Sequence, residues 1–249
     1  MVQLNQAQFV CLDVESTGLD TQKDRVIELA AVVFTMEAVL DEFESLINPE
    51  CEIPAASQAI HNISADMVKD KPKIAELLSQ FLAFVGDRIL VGHGIQFDID
   101  IISQEAQRFH IPCVLQKNRS IDTLRLARLY GESPSNSLDM LRRHFNIQAE
   151  GAHRAMGDVF VNIQVFRHLV KQFKTVEQIQ AALAKPILMK TMPLGKHKGR
   201  PLKEIPVDYL AWAARQEFDQ DLLFSLRTEL QRRRKGSSFS QASNPFQHL

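Results

Sequence analysis

The chain has 249 residues, 45% hydrophobic and 24% charged, an ordinary globular balance that excludes disorder throughout. Its formal net charge of −1 selects no partner, but residues 1–189 carry 18 Lys+Arg against 24 Asp+Glu while residues 190–249 carry 11 against 6, so an acidic body bears a basic end. No run approaches the ~20 apolar residues of a membrane helix, and the opening MVQLNQAQFV lacks the basic-then-apolar layout of a secretory signal, so a cytoplasmic protein with no membrane partner is expected. Cys11, Cys51 and Cys113 are widely spaced with no CxxC pair, which argues against a disulfide framework or structural zinc and predicts reduced, buried thiols.

The first elements are β-rich. Gln8–Glu15 (QFVCLDVE) passes through an apolar run into carboxylates, and Arg25–Thr35 and Val39–Asn48 follow across short polar links, which predicts a three-strand meander. At Lys73 the period changes: Ile74, Leu77, Leu78, Phe81, Leu82 and Val85 line one face of a helix that Gly86 stops. Arg88–Gly92 then reads as a strand, Phe97–Phe109 as a helix, and Ser120–Asp122 as a short strand entering a helix at Thr123–Leu129. Ser137–Phe145 and His153–Phe173 read as further helices. A meander followed by alternating helix and strand predicts an α/β domain with a mixed sheet.

Residues 185–193 (KPILMKTMP), an apolar run bounded by prolines, are the expected linker between a domain at 1–184 and a small basic module at 194–235. Within that module PLGKHKGRPLKEIP reads as a glycine-turned hairpin, and Val207–Arg215 and Gln220–Lys235 as helices. Residues 236–249, polar and turn-rich, are expected to be a disordered tail.

Chemistry enters with the acids. Asp13 and Glu15 lie two apart on a predicted strand, so both face one side, and two such carboxylates repel unless a divalent cation neutralises them. Hard oxygen ligands of this kind suit Mg²⁺ or Mn²⁺ better than zinc. A further acid, Asp98, follows a predicted strand, and another, Asp158, lies on a predicted helix. His153 precedes Asp158 by five residues, about 140° past a full helical turn, so it is expected in the loop or first turn, reaching over a site that Asp158 enters from the helix.

Asp13-Val-Glu15-Ser-Thr17-Gly18-Leu19, His93 with Phe97-Asp98, and His153-Arg-Ala-Met-Gly-Asp158 together resemble the three motifs of the DEDDh 3′–5′ exonucleases, the group containing the proofreading epsilon subunit of bacterial DNA polymerase III. The similarity covers about residues 8–170, with further matching pieces at Ile60-His61-Asn62-Ile63, Asp122-Thr-Leu and Ser137-Leu-Asp. It implies a ribonuclease H-like mixed sheet flanked by helices, and a site of two Mg²⁺ or Mn²⁺ ions. Carried over by position, it makes Asp13, Glu15 and Asp158 ligands of the first ion, Asp13 the bridge to the second, Asp98 a ligand direct or through water, and His153 the general base. It also implies that Ser16, Thr17 and Leu19 contact the terminal nucleotide, with Leu19 as a wedge, and that Ile60, His61 and Phe97 line its base. One departure stands out: many members have Asn after the second-motif histidine, where this chain has Gly94, which puts end positioning and sugar preference in doubt.

The segment Met192–Arg200, with Ile205-Pro206 and Tyr209-Leu210-Ala-Trp212 downstream, is similar to a small module appended to exodeoxyribonuclease X-like proteins. Between Lys190 and Lys203 stand five Lys/Arg and no acid, compatible with contact to a nucleic-acid backbone. Tyr209 and Trp212 share one helical face, where they either stack bases or, the favoured expectation, fill the module's small hydrophobic core. Gln241 and Phe246 resemble the anchors of peptides that dock on a bacterial sliding clamp.

The resemblance thus implies a 3′–5′ exonuclease releasing nucleoside 5′-monophosphates from a free 3′ end of single-stranded DNA, with a DNA polymerase or sliding clamp as a further partner. Two alternatives stay open: an RNA-trimming exoribonuclease of the same group, and a non-catalytic nucleic-acid-binding or polymerase-associated scaffold. Asp13, Glu15, Asp98, His153 and Asp158 all stand, which favours the enzyme over the scaffold.

Overall fold

The computed structural model describes residues 1–133, 135–148 and 154–242, with the backbone alone for residues 236–242. The chain divides into two compact units, Met1–Ala182 and Leu183–Leu249.

The first unit is a mixed sheet flanked by helices. Its strands are β1 (Phe9–Ser16), β2 (Val26–Phe34), β3 (Val39–Leu46), β4 (Ile89–Gly92) and β5 (Ser120–Asp122), in the order β3-β2-β1-β4-β5. The meander β1-β2-β3 is antiparallel, whereas β4 and β5, which return through helices, run parallel to β1. All residues of β2 are buried, while β3 is an edge strand whose Asp41, Glu42 and Glu44 are charged and whose Phe43 packs edge-on against Phe81 at 5.4 Å.

Strand alternation sends β1 side chains to opposite faces. Val10, Leu12 and Val14 join one core with Ile74, Leu78, Phe81 and Val85 of α3 (Ile74–Val85) and with Ile99, Ile101 and Ile102 of α4 (Gln96–Arg108). On the other face Phe9 meets Phe166 of α7 (Ala155–Leu169), the ring centroids 5.2 Å apart. Between these lie α5 (Thr123–Tyr130) and α6 (Leu138–His144), both of which pack on α7.

Three helices escape the sequence pattern: α1 (Ala55–His61), α2 (Ala65–Val68) and α8 (Val176–Leu183). The first two are too short to display a 3.6-residue period; α1 starts after Pro54 and ends at Asn62 in the left-handed region, φ 59°. Cys11 is buried, but Cys51 is exposed and Cys113 half-buried, correcting the expectation of three buried thiols. No described helix is long and apolar enough to cross a membrane.

In the second unit α9 (Val207–Ala213) and α10 (Gln220–Ala242) enclose a small core of Met192, Leu202, Ile205, Leu210, Ala213, Leu222 and Leu226. Residues 185–193 are not a free linker: Ile187 N–H donates to Asp221 Oδ1 at 2.9 Å, Met189 N–H to Ser225 Oγ at 2.8 Å, and Ile187 and Met192 are buried. The expected hairpin is reduced to one antiparallel bridge, Thr191 with Pro201, because proline offers no N–H to extend a ladder; short 3₁₀ turns occupy Gly195–His197 and Leu202–Glu204. Tyr209 packs on the core, but Trp212 is 52% exposed, so only one of the two aromatics assigned to that core belongs to it. α10 continues to Ala242, past the Lys235 end expected of it; residues 243–249, with the Phe246 of the clamp-like peptide, lie outside the described residues.

Candidate active site

The acids are assembled by a match between two periodicities. Phe9, Cys11 and Asp13 project from β1 toward α7 at steps of two, about 6.6 Å, while Phe166, Asn162 and Asp158 project from α7 at steps of four, about 6.0 Å. Strand and helix therefore stay in register for three rungs: Phe9 on Phe166, Cys11 Sγ accepting from Asn162 Nδ2 at 3.5 Å, and Asp13 beside Asp158. Glu15, one further strand step along, closes the group. Asp13, Glu15 and Asp158 each offer a carboxylate oxygen, and these atoms all lie within 4.8 Å of one another.

Asp98 stands next to this trio, in the first turn of α4, 5% exposed. Its Oδ1 accepts the Val14 backbone N–H at 3.1 Å, so it holds the residue between Asp13 and Glu15. Burial together with the charges of Asp98, Glu15, Asp158 and Glu28 pushes the Asp13 carboxyl well above the usual carboxylate range. Burial and Asp158 raise Glu15 to about 7, and burial raises Asp98 to about 8 against the opposing hydrogen bond from Val14. Clustered carboxylates whose protons are held this tightly, all hard oxygen donors, fit a divalent cation.

A further acid of the sheet, Glu28 on β2, fixes α7 in place. Its carboxylate is completely buried, accepts Arg154 Nε at 3.0 Å and Ala155 N–H at 3.0 Å, and pairs with the Arg154 guanidinium. Glu28 thereby caps the first helical N–H of α7 from a neighbouring strand, in place of a local capping side chain. His153, the residue before Arg154, lies outside the described residues.

His93 of the second motif is spent on structure: Nδ1 lies 3.1 Å from Thr123 Oγ1 and Nε2 lies 2.8 Å from the Asn136 carbonyl oxygen. Burial lowers its pKa to about 4, so it is a neutral packing residue at physiological pH. Gly94 has φ +80°, and its N–H donates to Asp122 Oδ1 at 3.0 Å, the same oxygen that caps α5 through Leu124 N–H at 2.8 Å.

An exonuclease family model matches residues 10–166, from β1 into α7. The chain belongs to this RNase T-type exonuclease family. Within it the acids and their order place the chain in the DEDD 3′–5′ group, a family that implies divalent metal ions. The exonuclease domain is 32% identical over 184 residues to a DNA polymerase III PolC-type protein of Caldanaerobacter subterraneus subsp. tengcongensis, covering 72% of this chain and 13% of that protein. It is 34% identical over 174 residues to the PolC-type protein of Staphylococcus saprophyticus, covering 70% of this chain and 12% of that one. The chain thus spans about an eighth of the length of these curated relatives. Among solved structures, Exonuclease X in complex with 5′ overhanging duplex DNA aligns with TM-score 0.54 and 25% identity over 69% of this chain and 96% of that one. E. coli Exonuclease I in complex with a dA16 oligonucleotide aligns with TM-score 0.61 and 19% identity over 72% of this chain and 43% of that one, a likeness of fold. A second family model, described as "Putative quorum-sensing-regulated virulence factor", matches residues 180–228.

In this member of the exonuclease family the six residues carried over as nucleotide contacts fall into different environments. Leu19 is 85% exposed at the tip of the turn after β1, and Ile60 is 64% exposed on α1. Ser57 Oγ of α1 donates to the Thr17 carbonyl at 2.6 Å, tying the two elements together. Thr17 is buried, its hydroxyl donating to Asp24 Oδ1 at 2.9 Å and accepting Arg25 N–H at 3.0 Å, while Ser16 Oγ donates to the Gly18 carbonyl at 2.7 Å. His61 is buried with Nδ1 accepting Ile63 N–H at 3.0 Å, and Phe97 is half-buried against the main core. The turn is braced from behind by buried Glu105, which accepts Arg25 Nε at 2.8 Å and pairs with Arg108 at 3.1 Å.

Sequence reasoning missed Glu28, Arg154, Glu105 and Asn162. Glu28 had a signal, a lone acid inside the apolar run VIELAAVVF, and Asn162 lies one helical step from Asp158 on an otherwise apolar stretch. Arg154 had none, since its partner lies 126 positions away, and Glu105 offered only an ordinary i,i+3 pairing with Arg108, its other partner Arg25 lying 80 positions away.

Proposed function

We propose that the chain hydrolyses single-stranded DNA stepwise from a free 3′ end, releasing nucleoside 5′-monophosphates. The observation that carries this reading is the convergence of Asp13, Glu15 and Asp158 within 4.8 Å, with Asp98 bonded to the backbone between the first two. Two Mg²⁺ or Mn²⁺ ions held by these three carboxylates, with Asp98 contributing directly or through water, would supply Lewis acidity to the attacking water and charge stabilisation to the leaving 3′ oxygen. Asp13, whose carboxyl is raised by Asp98, Glu15 and Asp158, would be the residue shared by the two ions, as the resemblance implies. His153, the residue before Arg154 in the sequence, would take the proton of the attacking water, as the resemblance implies. The bond broken joins phosphorus to the 3′ oxygen of the penultimate nucleotide, which departs as a hydroxyl on the shortened strand.

Leu19, Ile60 and Phe97 provide apolar contact to the terminal bases, while Ser16, Thr17 and His61 shape the turn and helix that present them. Apolar contact of this kind tolerates every base. The DNA named in the Exonuclease X and Exonuclease I structures supports DNA over RNA, and the PolC-type relatives make a polymerase the partner to seek.

The test is a 5′-labelled oligonucleotide, DNA or RNA, incubated with Mg²⁺ or Mn²⁺. A ladder of shortened labelled strands from DNA, lost in Asp13→Ala, is the expected result. Preferential shortening of RNA assigns the site to RNA trimming, and retention of intact strand in a stable complex assigns it to a scaffold.

A further inference from the structure

The second unit carries a surface that the carboxylate chemistry does not use. Trp212, the chain's single tryptophan, is 52% exposed, and its ring lies 5.3 Å from that of Tyr209. Tyr209 in turn meets the buried ring of His197 edge-on at 4.5 Å. This aromatic row ends against a basic loop, because His197 closes the 3₁₀ turn whose neighbours Lys196, Lys198 and Arg200 are all exposed. The loop is fitted closely to the row: Gly195 has φ +71°, and a Cβ there would lie 3.0 Å from the Tyr209 hydroxyl oxygen. Burial and the positive charges of Arg200 and Lys196 hold the His197 imidazole below its ordinary range.

The charge of the unit is one-sided, although exposed Asp208 lies one helical turn before Trp212 on α9. Residues 183–249 hold twelve Lys+Arg against six Asp+Glu, and none of the acids falls between Lys190 and Lys203. Three of the six are committed within the unit: Asp221 is buried and accepts Ile187 N–H, Asp219 accepts Leu222 N–H at the start of α10, and Glu229 pairs with Arg232 and Arg233. Glu204 and Asp208 are the acids nearest the loop in sequence. An exposed indole beside a cationic loop matches a ligand with flat apolar faces and regularly spaced negative charge, which is a nucleic-acid strand with unpaired bases.

We propose that this face of the second unit is a binding site for single-stranded nucleic acid, with bases stacking on Trp212 and phosphates on Lys196, Lys198 and Arg200. It recognises strand rather than strand end, and it stands whether or not the carboxylate site proves to be an exonuclease. Base–aromatic stacking worth about 1–3 kcal/mol per base corresponds to about a 5- to 150-fold change in affinity.

The experiment uses the full chain in EDTA and a covalently closed circular oligodeoxythymidylate, which offers no 3′ end. Because Trp212 is the only tryptophan, its emission reports this face alone. Saturable quenching is expected, with affinity falling about 5- to 150-fold in Trp212→Ala by anisotropy and largely kept in Trp212→Phe. The pair Lys196→Gln and Lys198→Gln should reduce the slope of log affinity against log salt by about 1.4. Unchanged Trp212 emission on binding, or equal affinity in Trp212→Ala, overturns the proposal. So does a concentration-dependent oligomer that Trp212→Ala disperses while DNA affinity stays the same, which would give the face to a second copy of the chain.

Discussion

Asp98 Oδ1 accepts the buried backbone N–H of Val14 at 3.1 Å. β1 pairs with β4 only over Phe9–Cys11, so the β4-side edge of β1 near Val14 has no strand to bond, and the first turn of α4 supplies the acceptor. Asp98 is therefore both a charge beside Asp13 and the fastening that fixes the backbone between Asp13 and Glu15. These two roles separate by substitution.

Asp98→Asn keeps an oxygen for Val14 and removes the ionisable carboxyl, whereas Asp98→Ala leaves a buried N–H unsatisfied. Chemical denaturation should find the alanine variant less stable than the asparagine variant by about 1–3 kcal/mol. Both should lose turnover. Equal stability of the two would remove the structural role, and wild-type turnover in Asp98→Asn would remove the chemical one.

The raised carboxyls make metal and pH interdependent. With folded pKa values of about 7 for Glu15 and about 8 for Asp98, both above the ordinary carboxylate range, the metal-free folded state binds more protons than the unfolded state across the intervening pH. Their contribution to stability is thus present at low pH and is lost as pH rises through those values. A divalent cation favours the ionised form. The Tm gained on replacing EDTA with Mg²⁺ should therefore grow between about pH 5 and pH 8. A gain independent of pH would contradict the proton count.

Glu28 and Arg154 set the start of α7, and with it Asp158. Glu28→Ala strands both Arg154 and the Ala155 N–H, at a cost of about 2–4 kcal/mol, with the partial exposure of Arg154 keeping the loss below that of a fully buried pair. Turnover at saturating Mg²⁺ should fall as well, because Asp158 is displaced. Urea unfolding and single-turnover rates on one preparation check both parts.

Gly94 sits at φ +80° with its N–H committed to Asp122, and a Cβ there would meet Leu124 Cδ2 at 3.9 Å. Asn is among the side chains that best tolerate this region. Gly94→Asn should fold and should change KM and the DNA-to-RNA cleavage ratio more than kcat. Unchanged values would show that the glycine has no part in selecting the 3′ end.

Much of this architecture was legible because it is written at short range. The meander, the helix stopped by Gly86 and the 120–122 strand follow from alternation and period, and Asp13 with Glu15 follows from side-chain direction on a strand. The trio itself is a long-range object, and only the ordered motifs brought Asp158 into it. The fastenings were invisible, because Glu28 to Arg154 and Asp98 to Val14 join positions 126 and 84 residues apart. Of the two places open to Trp212, the core fails for a physical reason: Met192, Leu202, Leu210, Leu222 and Leu226 fill it without the indole.

The most direct test of the carboxylate centre is Mn²⁺ binding followed by electron paramagnetic resonance, with strand shortening measured on the same samples. Asp13→Asn, Glu15→Gln and Asp158→Asn should each weaken Mn²⁺ binding by at least about tenfold and suppress shortening. Asp100→Asn, two residues along α4 from Asp98 and bonded to Gln96, should match the wild type in both. Wild-type Mn²⁺ affinity and full activity in any member of the trio would contradict the account.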